Sequence, residues 1–137
     1  DIAHYKGQKI FFLKRAQIFP SDVYFAFHGQ ELGRFKTLDD LAMFADYKLP
    51  QLLQAESVLE YTEELLATIK NKDLLTYSSE VEVEIRALSI YACELLIQEL
   101  AKHNRHINHN DLDRLLWYIS KTTKYDLPYH RTITTFY

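Results

Sequence analysis

Hydrophobic residues are dense between Lys9 and Phe27, at Ile10, Phe11, Phe12, Leu13, Ile18, Val23 and Phe27. Pro20 breaks the run, and the two residues after it, Ser21 and Asp22, are good helix N-cap types. The pattern predicts an extended or helical lead-in and then a short helix from about Asp22. Gly29 and Gly33 bracket a turn. Thr37-Leu38-Asp39-Asp40 places a capping-type residue before acids that the helix dipole favours, which predicts a helix opening at Thr37. That helix should end between Ala45 and Lys48, because the residue before Pro50 is pushed out of the α region. Pro50 then fits the first turn of a following helix through Gln51, Leu52 and Leu53. Asp46 therefore falls at a junction between two helices.

Further along, Glu60 to Lys70 reads as an amphipathic helix with Leu65, Leu66 and Ile69 on its apolar side. Ser79-Glu80-Val81-Glu82 has the form of a capping box and opens the longest helix, to about Lys102. Within it Val81, Ile85, Leu88, Ala92 and Leu95 recur at alternating spacings of four and three, which predicts one buried stripe. Asn108 or Asn110 caps a last helix through Leu112, Leu115, Leu116 and Ile119. From Tyr125 to Tyr137 the chain is aromatic and β-branched, and an extended tail is expected. No internal repeat or low-complexity linker is visible. The fold class is all-α, a single helical bundle-like domain over residues 1–137 with an extended C-terminal tail.

Composition supports helices: 137 residues contain only 3 Gly and 3 Pro. With 47% apolar residues, 10 Tyr and 8 Phe, the chain can bury a core, so disorder is not expected. A net charge of -3 lacks the basic footprint of a nucleic-acid binder. The single cysteine, Cys93, excludes an internal disulfide and fits a reducing, cytoplasmic setting. No apolar run is long enough to span a bilayer. The chain begins with Asp rather than Met, which is expected of a fragment or a trimmed chain.

Asp46 changes the picture most. It sits in Leu41-Ala42-Met43-Phe44-Ala45-Asp46-Tyr47, and a desolvated carboxylate needs either a partner or a task. Backbone N–H groups at a helix start, together with aromatic walls, would suit a site. Other candidates are less specific. His103, His106 and His109 could bind metal, but a polar connector explains them better because further ligands are not evident. Glu82 and Arg86, four apart, fit a solvated surface pair, or an Arg held by Glu82 and Glu84 near a site. Lys14 and Arg15 beside Phe11, Phe12 and Leu13 either neutralise a phosphate or snorkel to solvent. His130 and Arg131 are a second cationic pair open to the same two readings.

Four of these segments together resemble one family. Phe12-Leu13-Lys14-Arg15-Ala16-Gln17-Ile18 is similar to an aromatic-x-Lys-Arg-Ala-Gln-Ile motif of the queuosine salvage proteins, the queuosine 5′-phosphate N-glycosylases. Met43-Phe44-Ala45-Asp46-Tyr47-Lys48-Leu49-Pro50-Gln51 resembles its Met-Phe-Ala-Asp-Tyr-Arg-x-Pro-Gln. Glu82-Val83-Glu84-Ile85-Arg86-Ala87 has the form of its Glu-Val-Glu-Ile-Arg-Ala. Tyr129-His130-Arg131-Thr132 and Phe136-Tyr137 are similar to its His-His-Arg-Thr-Arg-x-x-Tyr-Tyr ending. Four motifs in the right order over nearly the whole chain make the resemblance specific. The chain departs from the pattern at Lys48 (usually Arg), Tyr129 (commonly His) and Ile133 (often Arg). It also begins where the C-terminal half of family members begins.

The resemblance implies a helical fold like that of DNA glycosylases. It implies hydrolysis of the N-glycosidic bond of queuosine 5′-monophosphate, releasing queuine for tRNA modification. No metal, organic cofactor, membrane or stable nucleic-acid partner is expected, and an N-terminal region would complete the pocket. Asp46 would then stabilise positive charge on the ribose, handle the attacking water or attack the sugar itself. Phe44 and Tyr47 would wall the sugar or base. Lys14, with Arg15 nearby and with His130 or Arg131, would hold the 5′-phosphate. Glu82, Glu84 and Arg86 would be a supporting network. A nucleic-acid repair glycosylase and a non-catalytic helical binding module are the alternatives.

Overall fold

A computed structural model describes residues 1–137. The chain is mostly helical, but it opens with strands rather than helices, which corrects the all-α expectation. Strand β1 (Ile2–Tyr5) pairs antiparallel with β2 (Gln8–Phe11), in a register that sets Ile2 opposite Phe11 and Tyr5 opposite Gln8. The two-residue connection is Lys6-Gly7, both with positive φ, 48° and 80°. That geometry matches the twist of a hairpin, and Gly7 adopts it without steric cost. The buried side of the hairpin supplies Ala3, which joins Phe12, Ala45 and Val83 in a small apolar cluster.

Helix α1 (Lys14–Ala26) starts eight residues earlier than the Asp22 expected and carries Pro20 in its interior. The N-cap residue Leu13 has φ 50°, so the turn out of β2, rather than a capping side chain, sets where α1 begins. The helix expected from Thr37 does not form. Only a 3-10 turn, Leu38–Asp40, is present, and residues 41–46 are irregular. The reason lies in the backbone donors of this segment. The Ala42 N–H donates to Gln17 Oε1 (2.8 Å) and the Phe44 N–H to Asp113 Oδ1 (3.1 Å). Side chains from two other elements take the bonds that helical carbonyls would have accepted.

Helix α2 (Lys48–Ala55) holds Pro50 in its first turn, as expected. Helix α3 (Glu63–Lys70) is capped by Thr62, and α4 (Glu80–Lys102) by Ser79, whose Oγ accepts from the Glu82 N–H. The Glu82 carboxylate reaches back to the Ser78 N–H (3.1 Å). Helix α5 (His109–Thr122) is capped by Asn108 through the Asp111 N–H (2.8 Å). The main core joins α2, α4 and α5 through Leu49, Leu53, Cys93 and Leu112, with Met43 and Leu59 from the connecting segments. The tail is extended and adds one parallel bridge, Leu74 to Arg131. No helix is long and apolar enough to cross a membrane.

The expected stripe on α4 is also corrected. Ile85 is buried, yet Val81, Leu88 and Leu95 are 40%, 52% and 46% exposed. The buried face instead runs through Glu82, Arg86, Ser89 and Cys93, at spacings of four, three and four. Arg86 explains the rotation. Its guanidinium lies 2.6 Å from Asp1 and 3.3 Å from Glu82, with Glu82 and Arg86 fully buried. The rings of Phe12 and Tyr137 flank it at 3.9 and 4.4 Å, and the Tyr137 hydroxyl donates to Glu82 Oε1 (2.7 Å). Glu82 and Arg86 are therefore no surface pair. They form a paired, hydrogen-bonded charge cluster that fixes which face of α4 turns inward.

Candidate active site

The irregular segment 41–46 runs between α1 and α5, and its two donated backbone bonds fix it there. Next to it is a cavity of about 420 Å³, a size suited to a small-molecule ligand. From α1 come Lys14, Ile18, Ser21 and Asp22. The segment supplies Phe44 and Asp46, and α5 supplies Asp113, Arg114, Trp117 and Tyr118.

Asp46 is held by the start of α2. Its Oδ1 accepts the Lys48 N–H at 2.8 Å and the Leu49 N–H at 2.9 Å, two of the donors a helix start leaves unpaired. Burial raises its pKa. The bond from Leu49, the positive charge of Lys14 and the bond from Lys48 oppose that rise, but burial prevails. Phe44, nearly fully buried, walls the same space.

Sequence reasoning missed Asp113. Burial first, and the nearby charge of Asp46 after it, push its carboxyl up to about 7, against the bond from the Phe44 N–H and the charge of Lys14. The two carboxylates thus share one cavity, the charge of Lys14 and one stretch of backbone, and Asp46 also feels the charge of Lys48. The test applied to Asp46 would have found Asp113 as well: an acid beside the buried Leu112, one helical turn before Trp117.

The remaining expected residues lie elsewhere. The Arg15 guanidinium donates to the Thr135 carbonyl (2.9 Å), and Arg131 to that of Lys72 (3.3 Å). The Tyr47 ring lies against Tyr129 (4.6 Å), with the Lys48 ammonium 5.1 Å from the Tyr129 ring. His130 is buried beside Tyr137, and neither ring nitrogen has a hydrogen-bond partner. Burial, reinforced by the charge of Arg86, lowers its pKa to about 4. None of these four lines the cavity. Glu84 is exposed and accepts from the Tyr5 hydroxyl (2.6 Å). Arg86 reaches the site indirectly, because its Nε donates to the carbonyl of Ala45, the neighbour of Asp46 (3.3 Å). His103 and His109 face Glu99 and Glu94, and no group of three His, Cys, Asp or Glu side chains is placed to hold a metal.

The fold and cavity define a helical domain in which three carboxylates, Asp22, Asp46 and Asp113, line a space sized for a small ligand. The profile of the family described as queuosine salvage protein matches residues 1–137, and the chain belongs to that family. It is 41% identical over 138 residues to proteins of Dictyostelium discoideum and of Sphaerobacter thermophilus, both named queuosine 5′-phosphate N-glycosylase/hydrolase. A Bos taurus protein of the same name is 35% identical over 148 residues. All three matches cover 100% of this chain but 43% of the relative, so the chain spans less than half their length.

Proposed function

We propose that this chain carries the hydrolytic centre of a queuosine 5′-phosphate N-glycosylase. In the reaction the bond from C1′ of the ribose to the base nitrogen breaks. Its electron pair leaves with the base, the base gains a proton from an acid in the cavity, and water adds its hydroxyl to C1′ while its other proton restores that acid. The products are queuine, available for tRNA modification, and ribose 5-phosphate. Positive charge grows on the ribose as the bond lengthens, so a fixed negative charge in a sheltered cavity lowers the barrier.

Asp46 is assigned that role. The observation that carries the reading is its carboxylate, held at the start of α2 by two backbone bonds and sharing an aromatic-walled cavity with a second acid. Two carboxylates this closely coupled do not both ionise freely near neutral pH. Asp46 accepts two backbone bonds and Asp113 accepts one, so the proton rests on Asp113. Asp46 then faces the ribose as an anion, and Asp113 can donate a proton to the departing base. Lys14 balances the charge of the pair. Phe44, Trp117 and Tyr118 offer faces for the sugar and base.

The reading includes a DNA-glycosylase-like arrangement in the whole protein, with this domain as its C-terminal part and further polypeptide closing the pocket. It includes a cytoplasmic setting and chemistry without metal or cofactor. The test is chemical: incubate the protein with queuosine 5′-phosphate and follow queuine and ribose 5-phosphate by mass spectrometry. Equal release of both supports the reaction. An intact nucleotide, with the further polypeptide of the relatives also present, overturns it.

A further inference from the structure

The proposed substrate carries a phosphate as well as a scissile bond, and the cavity must separate the two. The Asp46 end is poorly suited to an anion. There the helix start of α2 is already occupied by the Asp46 carboxylate, and the Lys14 charge is directed at both Asp46 and Asp113. A phosphate placed beside Lys14 would meet two acids. In a nucleotide the ribose ring separates C1′ from the 5′-phosphate, so the anchor should line the same cavity at a distance from the pair.

Arg114 meets that description. It follows Asp113 on α5, but consecutive helical side chains diverge, and the Arg114 guanidinium stacks 3.5 Å from the Phe25 ring on α1. Arg114 lines the cavity, yet its guanidinium makes no hydrogen bond and no ion pair. The other candidates are engaged elsewhere or do not line the cavity: Arg15 bonds Thr135, Arg131 bonds Lys72, and Lys121, which is not a lining residue, lies over the Trp117 ring. A stacked guanidinium with all its donors open is preorganised for an oxyanion.

Resting on the reaction proposed above, we propose that Arg114 anchors the 5′-phosphate and so sets the preference for the phosphorylated nucleotide over the free nucleoside. Asp22 lines the same cavity without pairing to Arg114 and opposes the bound anion.

The experiment compares queuosine 5′-phosphate with queuosine in the wild type, Arg114→Gln, Arg114→Lys and Asp22→Asn. Arg114→Gln should lower kcat/KM for the phosphorylated substrate about tenfold to a hundredfold, through KM, as loss of a charge-assisted bond predicts. The nucleoside should change less than about twofold, since no phosphate contact exists to lose. Arg114→Lys should recover part of the loss, and Asp22→Asn should lower KM for the phosphorylated substrate only. Equal losses on both substrates in Arg114→Gln overturn the assignment. If the wild type releases no queuine at all, the reaction itself fails. Calorimetry with ribose 5-phosphate then decides Arg114 separately: weaker binding in Arg114→Gln upholds the anchor, and unchanged or absent binding in both proteins refutes it.

Discussion

Two places in this molecule bury charge, and they resolve it in opposite ways. Around Arg86, each charge has a partner: Asp1 and Glu82 flank the guanidinium, the Tyr137 hydroxyl bonds Glu82, and Phe12 and Tyr137 cover the plane. Around Asp46, three acids (Asp22, Asp46 and Asp113) line one cavity with two cations, Lys14 and Arg114, and none of the five forms an ion pair. The first arrangement is closed and contributes to the fold. The second is left unbalanced, and the cavity beside it gives the imbalance something to act on. The contrast separates buried charge that holds structure from buried charge that is open to chemistry.

The largest effects should divide along that line. Arg86→Ala leaves Glu82 and Asp1 buried without their cation and should cost about 3–5 kcal/mol in denaturant unfolding. A loss below about 1 kcal/mol would mean that water already satisfies the cluster. In the core, Leu112→Ala should cost about 2–5 kcal/mol, whereas Leu88→Gln on the exposed stripe should stay within about 0.5 kcal/mol. Comparable losses at the two positions would return the stripe to the interior.

The acid pair makes a smaller, pH-dependent contribution. In the folded protein the Asp113 carboxyl is raised from 3.8 to about 7, so the fold binds this proton more tightly than the unfolded chain does. Ionising it costs stability, and that cost accumulates as pH rises from about 4 to about 7. Asp113→Asn should therefore raise the melting temperature more at pH 8 than at pH 4. His130 runs the other way. Its folded value of about 4 lies below the ordinary 6.5, so the stability it contributes is complete above 6.5 and falls away as pH drops toward 4. His130→Phe should flatten that acid limb in thermal melts recorded from pH 7 to pH 4, and an unchanged limb would place the titration elsewhere.

Helices α2 to α5 were legible in the sequence because their signals are local. Ser79, Asn108 and the placement of Pro50 each act within a turn of where they stand. Segment 37–46 and the buried face of α4 differ from the expectation because distant residues decide them. The backbone of Ala42 and Phe44 bonds side chains 25 and 69 residues away in sequence. The rotation of α4 depends on an ion pair to Asp1, 85 residues distant. Hydrophobic periodicity has no term for a buried stripe made of Glu, Arg, Ser and Cys. Of the residues that line the cavity, Asp46, Phe44 and Lys14 stand out in the sequence, because an acid among aromatics and a family motif both point to them. Asp113 looked like one more acid on an amphipathic helix until the fold set it beside Asp46.

One comparison tests the central contrast most directly: melting temperature and queuine release measured together on Asp46→Asn. Asparagine keeps the oxygen that accepts from Lys48 and Leu49, so the start of α2 should survive, and because burial penalises the Asp46 charge the melting temperature at neutral pH should be at or above that of the wild type. Only the charge is lost, and release of queuine from queuosine 5′-phosphate should fall by at least about a hundredfold. An Asp46→Asn protein that is folded and still releases queuine at the wild-type rate would contradict the account.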